Sequence, residues 1–291
     1  RAFNFYGTSP FESQEETSND MWKLISQNIG DFDEDDRFTT ILGFQWQGEP
    51  KVEGLRLLVY SKDNKPILRK KDLKNSSLKK IYKSFSPKEI ISIPCFTMAK
   101  GTDYNFDNFD PDFERVVEIY NAWGSSEMTK KEGNPRPVAS SSGFQEAPDG
   151  SIQKALQRNC RFGFVAGGLD DRGIYADLYE SDQVQYSPGL TAIIAPNHTR
   201  EALAEALYQR SCYATTGERI IVGLYLAGVS MGKEISTADK PGLAINRHLS
   251  GYVAGTGKLQ KVEIIRNGKA IQTFEPDNYF LEFSYDDMIS L

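Results

Sequence analysis

Residues 189–217, GLTAIIAPNHTREALAEALYQRSCYATTG, hold the alternation on which the fold turns. The apolar run Thr191–Ala195 reads as a buried strand. In the element that follows, Thr199–Gln209, Leu203, Ala206 and Leu207 fall on one side, which is a helical period. Thr199 offers a hydroxyl cap and Glu201 a carboxylate in the first turn, where unpaired N–H groups and the helix dipole favour both. From Cys212 the texture becomes strand-like. A strand, a capped helix and a further strand are the working unit of an α/β protein.

The same alternation extends toward the amino end. Thr39–Phe44, Leu55–Tyr60, Glu89–Ile93, Arg115–Tyr120 and Phe162–Ala166 read as strands. Asn19–Gln27 reads as a helix capped by Asn19 or Ser18, with Met21, Leu24 and Ile25 on one face. Ser151–Asn159 repeats the pattern with Ile152, Ala155 and Leu156. Strands followed by helices predict a parallel sheet or barrel, with functional side chains at the carboxyl ends of strands. Lys100–Asp112 and Gly124–Gly150 are long irregular intervals suited to a lid or rim. Beyond residue 212, Arg219–Ala227, Leu259–Arg266, Lys269–Phe274 and Tyr279–Phe283 read as strands, with Asn267-Gly268 as a hairpin turn. The division expected is an α/β domain over 1–211 and a small β-sandwich over 212–291.

Composition narrows the chemistry. The chain has 291 residues, 39% apolar, with 17 Phe and 14 Tyr, ample material for a core. Two histidines and three cysteines exclude a His-rich cage, a four-thiolate site and a disulfide framework. A net charge of -6 gives no global attraction for nucleic acid. The basic stretch Lys62–Lys83 reads as a solvated face or loop. No apolar run approaches the roughly 20 residues that span a bilayer. The chain opens Arg1-Ala2-Phe3 without Met, as expected of a processed or excised piece, and its compartment is unreadable from that terminus. No nucleophile elbow, phosphate-cradling loop or dinucleotide fingerprint is present.

Tyr213-Ala-Thr-Thr-Gly-Glu-Arg219, following Gly189-Leu-Thr-Ala192 and the Thr199 helix, resembles a bacterial branch of the polymerase-and-histidinol-phosphatase (PHP) superfamily of uncharacterised function. Gly228-Val-Ser-Met-Gly232, Val262–Gly268, Phe113–Asn121, Gly124–Glu127 and Phe162–Ala166 extend the likeness. The resemblance implies a distorted seven-stranded β/α barrel, N-terminally incomplete here, and the accessory β-domain. It also implies His, Asp and Glu ligands that hold metal ions and activate water for phosphate-ester hydrolysis.

Against that pattern, Pro10, Leu55, Cys95 and Arg172 stand where the family has histidine, and Gln45 where it has glutamate. Glu118 and Asp171 match. Pro and Leu offer no ligand, and Arg172 brings a fixed positive charge to a place built for cations. The expectation is therefore a catalytically degenerate binding or scaffold component with no cofactor. The alternative is a phosphoesterase with one divalent ion (Zn, Mn or Fe) on Cys95, Glu118 and Asp171. Arg172 with Arg161 is a candidate anion pocket. Asp170, Trp46 and Trp123 are assigned to the same cleft, where an ion-pair network and ordinary core packing are the plainer roles. His198 and His248 read as surface residues, the second in a loop, and Cys160 and Cys212 as packed thiols. Family members continue beyond Tyr279–Phe283 with another strand. An open sheet edge here would admit a protein partner or a second copy.

Overall fold

A computed structural model describes residues 3–138, 144–168 and 186–289. Among the described residues, the first part of the chain has ten short strands. They are β1 (Phe5–Gly7), β2 (Thr39–Ile41), β3 (Gly43–Gln47), β4 (Leu55–Tyr60), β5 (Ile90–Cys95), β6 (Val116–Asn121), β7 (Gly124–Ser125), β8 (Gly163–Ala166), β9 (Leu190–Ile193) and β10 (Cys212–Thr215). Four helices lie among them: α1 (Asn19–Asp31), α2 (Leu78–Ser84), α3 (Ile152–Gln157) and α4 (Arg200–Tyr208). Ser18 caps α1 by accepting the Met21 N–H, and Thr199 caps α4 by accepting that of Ala202.

The pairing is mixed rather than uniformly parallel. β1 with β2 and β6 with β8 are parallel, while β3–β4–β5 and β9–β10 are antiparallel. The connection from Gln47 to Leu55 explains part of this departure. Residues 48–54 are too few for a crossover helix, so β4 returns beside β3, with Gly54 at φ 65° completing the turn.

Both faces of the sheet around β4 are covered, which is why its strands are nearly continuous in apolar residues. Leu55 and Val59 pack with Ile91, Ile93, Cys95, Val116 and Val165 on one face. Leu58 and Tyr60 pack with Phe44, Trp46, Trp22, Leu78 and Ile81 on the other. Helix α1 departs from its expected face. It buries Trp22, Ser26 and Ile29, while Met21 and Leu24 are exposed. The large Trp22 decides the rotation, since its indole also donates to the Lys65 carbonyl at 2.9 Å. In α3, Ile152 and Ala155 are buried but Leu156 is exposed. Leu203, Ala206 and Leu207 of α4 are buried, and Arg200 pins the helix to β2 through the Thr40 carbonyl at 2.8 Å.

The remaining chain forms β11 (Ile221–Leu226), β12 (Val229–Ser230), β13 (Arg247–Leu259), β14 (Val262–Arg266), β15 (Lys269–Phe274) and β16 (Asn278–Asp287). The antiparallel order is β12-β11-β13-β16, with β14–β15 as a separate hairpin. Its turn residues Asn267 and Gly268 have φ 53° and 75°, as a two-residue hairpin turn requires. The central strand β13 carries no sequence signal of comparable clarity, because Gly251, Gly255 and Gly257 interrupt its apolar alternation. His248 accordingly lies in a strand, not a loop. Phe274 and Phe283, with ring centroids 5.3 Å apart, bring the hairpin against β16. Among the described residues no helix is long and apolar enough to cross a membrane.

Candidate functional site

Side-chain alternation sets the site. On β6, Val116 enters the inner cluster while Val117 turns to the outer one, so Glu118 follows Val116 inward. Cys95 closes β5 on the same inner face. Both are buried, Cys95 at the carboxyl end of β5 and Glu118 in the middle of the neighbouring β6.

Burial pushes the Glu118 carboxyl up to about 7, an effect reduced by hydrogen bonds from the Asn121 amide and the Phe96 N–H. Asn121 Nδ2 donates to Glu118 Oε1 at 2.7 Å, and Asn121 Oδ1 accepts the Trp123 N–H at 2.8 Å. Phe96 holds a left-handed φ of 52°, uncommon for a bulky residue, and its N–H is aimed at Glu118. Burial also raises the Cys95 thiol well above its usual range, and the neighbouring Glu118 charge adds to the shift. The thiol donates to the Ile93 carbonyl at 3.3 Å. The pair therefore presents a carboxyl poised to exchange a proton near neutrality beside a thiol that stays protonated.

The other residues singled out in the sequence are distributed unevenly. Trp123 is half-buried, with its ring 6.0 Å from Phe144, which in turn lies 5.0 Å from Phe96. It thus belongs to the aromatic wall beside Cys95. Trp46 does not. Gln45 and Trp46 occupy opposite faces of β3, and Trp46 is sealed on the far face of the β3–β4–β5 sheet with Phe44, Leu58 and Trp22. Arg161 precedes β8, at the amino end of the strands, and pairs with Glu234 at 2.7 Å. Asp170, Asp171 and Arg172 lie outside the described residues. Gln45 donates to the Ser9 carbonyl at 2.9 Å, and the Pro10 carbonyl accepts the Gln45 N–H at 2.8 Å. Leu55 is buried in the apolar interior. His198 Nε2 lies 2.8 Å from the Asn4 carbonyl, and exposed His248 lies 2.8 Å from Asp286. Cys160 and Cys212 are free and buried.

Asn121 and Phe96 are the site residues that sequence reasoning missed. Asn121 ends a stretch already singled out, but nothing in composition marks an amide as the partner of a carboxylate three positions earlier. Among the described residues no group of three or more His, Cys, Asp and Glu side chains could hold a metal ion. Cys95 and Glu118 alone do not fit a centre of two or three ions, because Leu55 and Pro10 bring no donor.

Comparison with known proteins adds a partial match. The family model described as a protein of unknown function (DUF3604) matches residues 170–246. An uncharacterized protein of Chlamydia pneumoniae is 54% identical over 100% of this chain and 47% of its own length. One from Chlamydia trachomatis is 53% identical over 99% of this chain and 46% of its own length. The chain spans about half the length of the curated relatives it matches. A solved structure from Bacteroides vulgatus is described as a two-domain protein containing a predicted PHP-like metal-dependent phosphoesterase. It is 13% identical with a TM-score of 0.42, covering 99% of this chain and 79% of that one. A likeness so slight carries no argument about fold or activity.

Proposed function

We propose that Cys95 at the end of β5 and Glu118 within β6 are the remnant of a metal-dependent phosphoesterase centre, and that the chain works as a binding or scaffold component. In this reading residues 1–211 form a distorted PHP-type barrel and residues 212–291 a β-sandwich. The observation that carries it is the way Glu118 is satisfied. Its carboxyl is met by an amide and a backbone N–H, both neutral donors, in a pocket whose neighbours are a protonated thiol and aromatic rings. Leu55 and Pro10 complete the set of matched positions without a donor side chain. Arg172 would add a fixed cation where an anionic ligand could be held without being hydrolysed. The free edge of β16 offers a route for a partner strand or a second copy.

The second reading is a phosphoesterase with one divalent ion on Cys95, Glu118 and Asp171. What favours it is the burial of Glu118 near Cys95, since burial keeps the carboxyl from ionising fully and a divalent ion there would favour its charged form, with the thiolate as a second ligand. Metal analysis of tag-free protein separates the two. The binding reading expects far less than one Zn, Mn or Fe per chain, and no chelator-sensitive hydrolysis of an aryl phosphate. A stoichiometric ion that disappears in Glu118→Ala, with hydrolysis lost in Asp171→Ala, establishes the second reading instead.

A further inference from the structure

Residues 62–83 carry nine lysines and arginines against two aspartates, in a chain of net charge -6. The fold accounts for part of that excess. Arg69 is buried and donates to the Glu12 and Thr17 carbonyls and to Asn19 Oδ1. Lys65 pairs with Glu89, Lys70 stands over the Trp46 ring, and Lys71 lies in the field of Glu15. Asp63 is turned to Arg200 at 3.1 Å. Lys74, Lys79, Lys80 and Lys83 are exposed and make no ion pair among the described residues.

Lys80 links three of these, on α2, to the turn that carries Lys74 and one exposed apolar side chain. Leu78 and Ile81 bury the inner face of α2, which leaves Lys79, Lys80 and Lys83 on the outer one. Lys80 Nζ reaches back to the Leu73 carbonyl at 2.7 Å and to Ser76 Oγ at 2.9 Å, so the one-turn helix Leu73–Asn75 sits beside that face. Leu73 itself is 84% exposed, within Lys70-Lys71-Asp72-Leu73-Lys74. A leucine so placed contributes nothing to the core. We infer that Leu73, with Lys74, Lys79, Lys80 and Lys83, forms a docking surface for an anionic lipid bilayer. The leucine enters the acyl boundary while the ammonium groups meet lipid phosphates. Ammonium groups beside an exposed leucine suit a bilayer, because a purely polar polyanion would leave the leucine in water.

The inference is independent of the Glu118 site. Sedimentation with phosphatidylcholine vesicles, with and without 30 mol% phosphatidylserine, tests it. Binding is expected only to the anionic vesicles, and to fall with added salt. Lys74→Glu/Lys79→Glu/Lys83→Glu is expected to weaken it on the order of a hundredfold, and Leu73→Ser about tenfold. All four positions are exposed, and unchanged thermal unfolding checks that the variants are intact. Equal binding to neutral and anionic vesicles, or no binding at low salt, overturns the proposal. So does binding to poly-glutamate or RNA with none to vesicles.

Discussion

Asn121 donates its amide to Glu118 Oε1 across 2.7 Å while its carbonyl oxygen receives the Trp123 N–H. One side chain thus orients a buried carboxyl and the start of the loop behind it. Because the Glu118 carboxyl is pushed up to about 7 from an ordinary 4.5, the folded chain retains a proton that the unfolded chain has already released. The folded state binds more protons in that window, so stability falls as pH rises from 4.5 to 7. A shift of this size corresponds to about 3 kcal/mol. Urea unfolding at both ends of the window measures it. Glu118→Gln should remove about half the dependence, since buried Glu114 is raised in the same direction. An unchanged slope in that variant would place the proton elsewhere.

Removing Asn121 has two separable effects. Asn121→Ala strips a donor from Glu118 and removes the oxygen that accepts the Trp123 N–H, at about 2 kcal/mol. It also moves the titration of Glu118 upward, because a hydrogen bond to the charged form is lost. Chemical denaturation reads the first, and the pH midpoint of the stability curve reads the second. A purely structural amide would change stability without moving that midpoint.

The legibility of these features in the sequence differs for physical reasons. Strand existence was plain wherever both faces are buried, as in Leu55–Tyr60, whose limits the structure reproduces. Strand direction was not, because it depends on connection length, and residues 48–54 are too short for a parallel return. The α1 face failed because several rotations satisfy a loose apolar period, and only the volume and N–H of Trp22 select one. The pairing of Cys95 with Glu118 was legible through the resemblance, since both stand at matched positions. The Asn121 amide was not, because its role comes from the path of the chain after β6.

Gly150 is required by a close backbone approach. A Cβ there would lie 1.9 Å from the Thr97 carbonyl oxygen, while Thr97 Oγ1 donates to the Gly150 carbonyl at 2.7 Å. The contact holds the loop after β5 against the turn before α3. Gly150→Ala should therefore cost several kcal/mol, or abolish folding. Thermal unfolding beside Gly257→Ala is the control, since nothing lies within 4 Å of a Cβ at Gly257 and its φ is not positive.

Arg56 and Glu114 form a buried ion pair at 3.3 Å, and the guanidinium lies 3.9 Å from the Tyr104 ring centre. Arg56 Nε and Nη2 find no hydrogen-bond partner among the described residues, so the pair is imperfectly satisfied. Arg56→Met alone strands a buried carboxylate and should cost about 3–5 kcal/mol. Arg56→Met with Glu114→Leu should recover most of that loss, because desolvation of both charges is avoided. A double variant no better than the single one would show that Glu114 is held chiefly by Tyr82 and Tyr104.

Among the described residues the long edge strand β16 pairs only with β13, and Tyr279 and Phe280 are 55% and 51% exposed. Between Tyr279 and Tyr285 its one charge is Glu282. Edges of this length and composition are usually blunted by lysine, proline or a bulge, and an unblunted one templates further pairing. Phe280 and Ser284 lie on one face, since they oppose Ala254 and Ser250 of β13, and both are exposed. Phe280→Lys/Ser284→Lys should therefore leave folding intact while repelling an added strand. Sedimentation velocity over a concentration series is expected to show association of the unaltered chain and none of the lysine variant. Association that persists in the variant would assign it to a surface other than this edge.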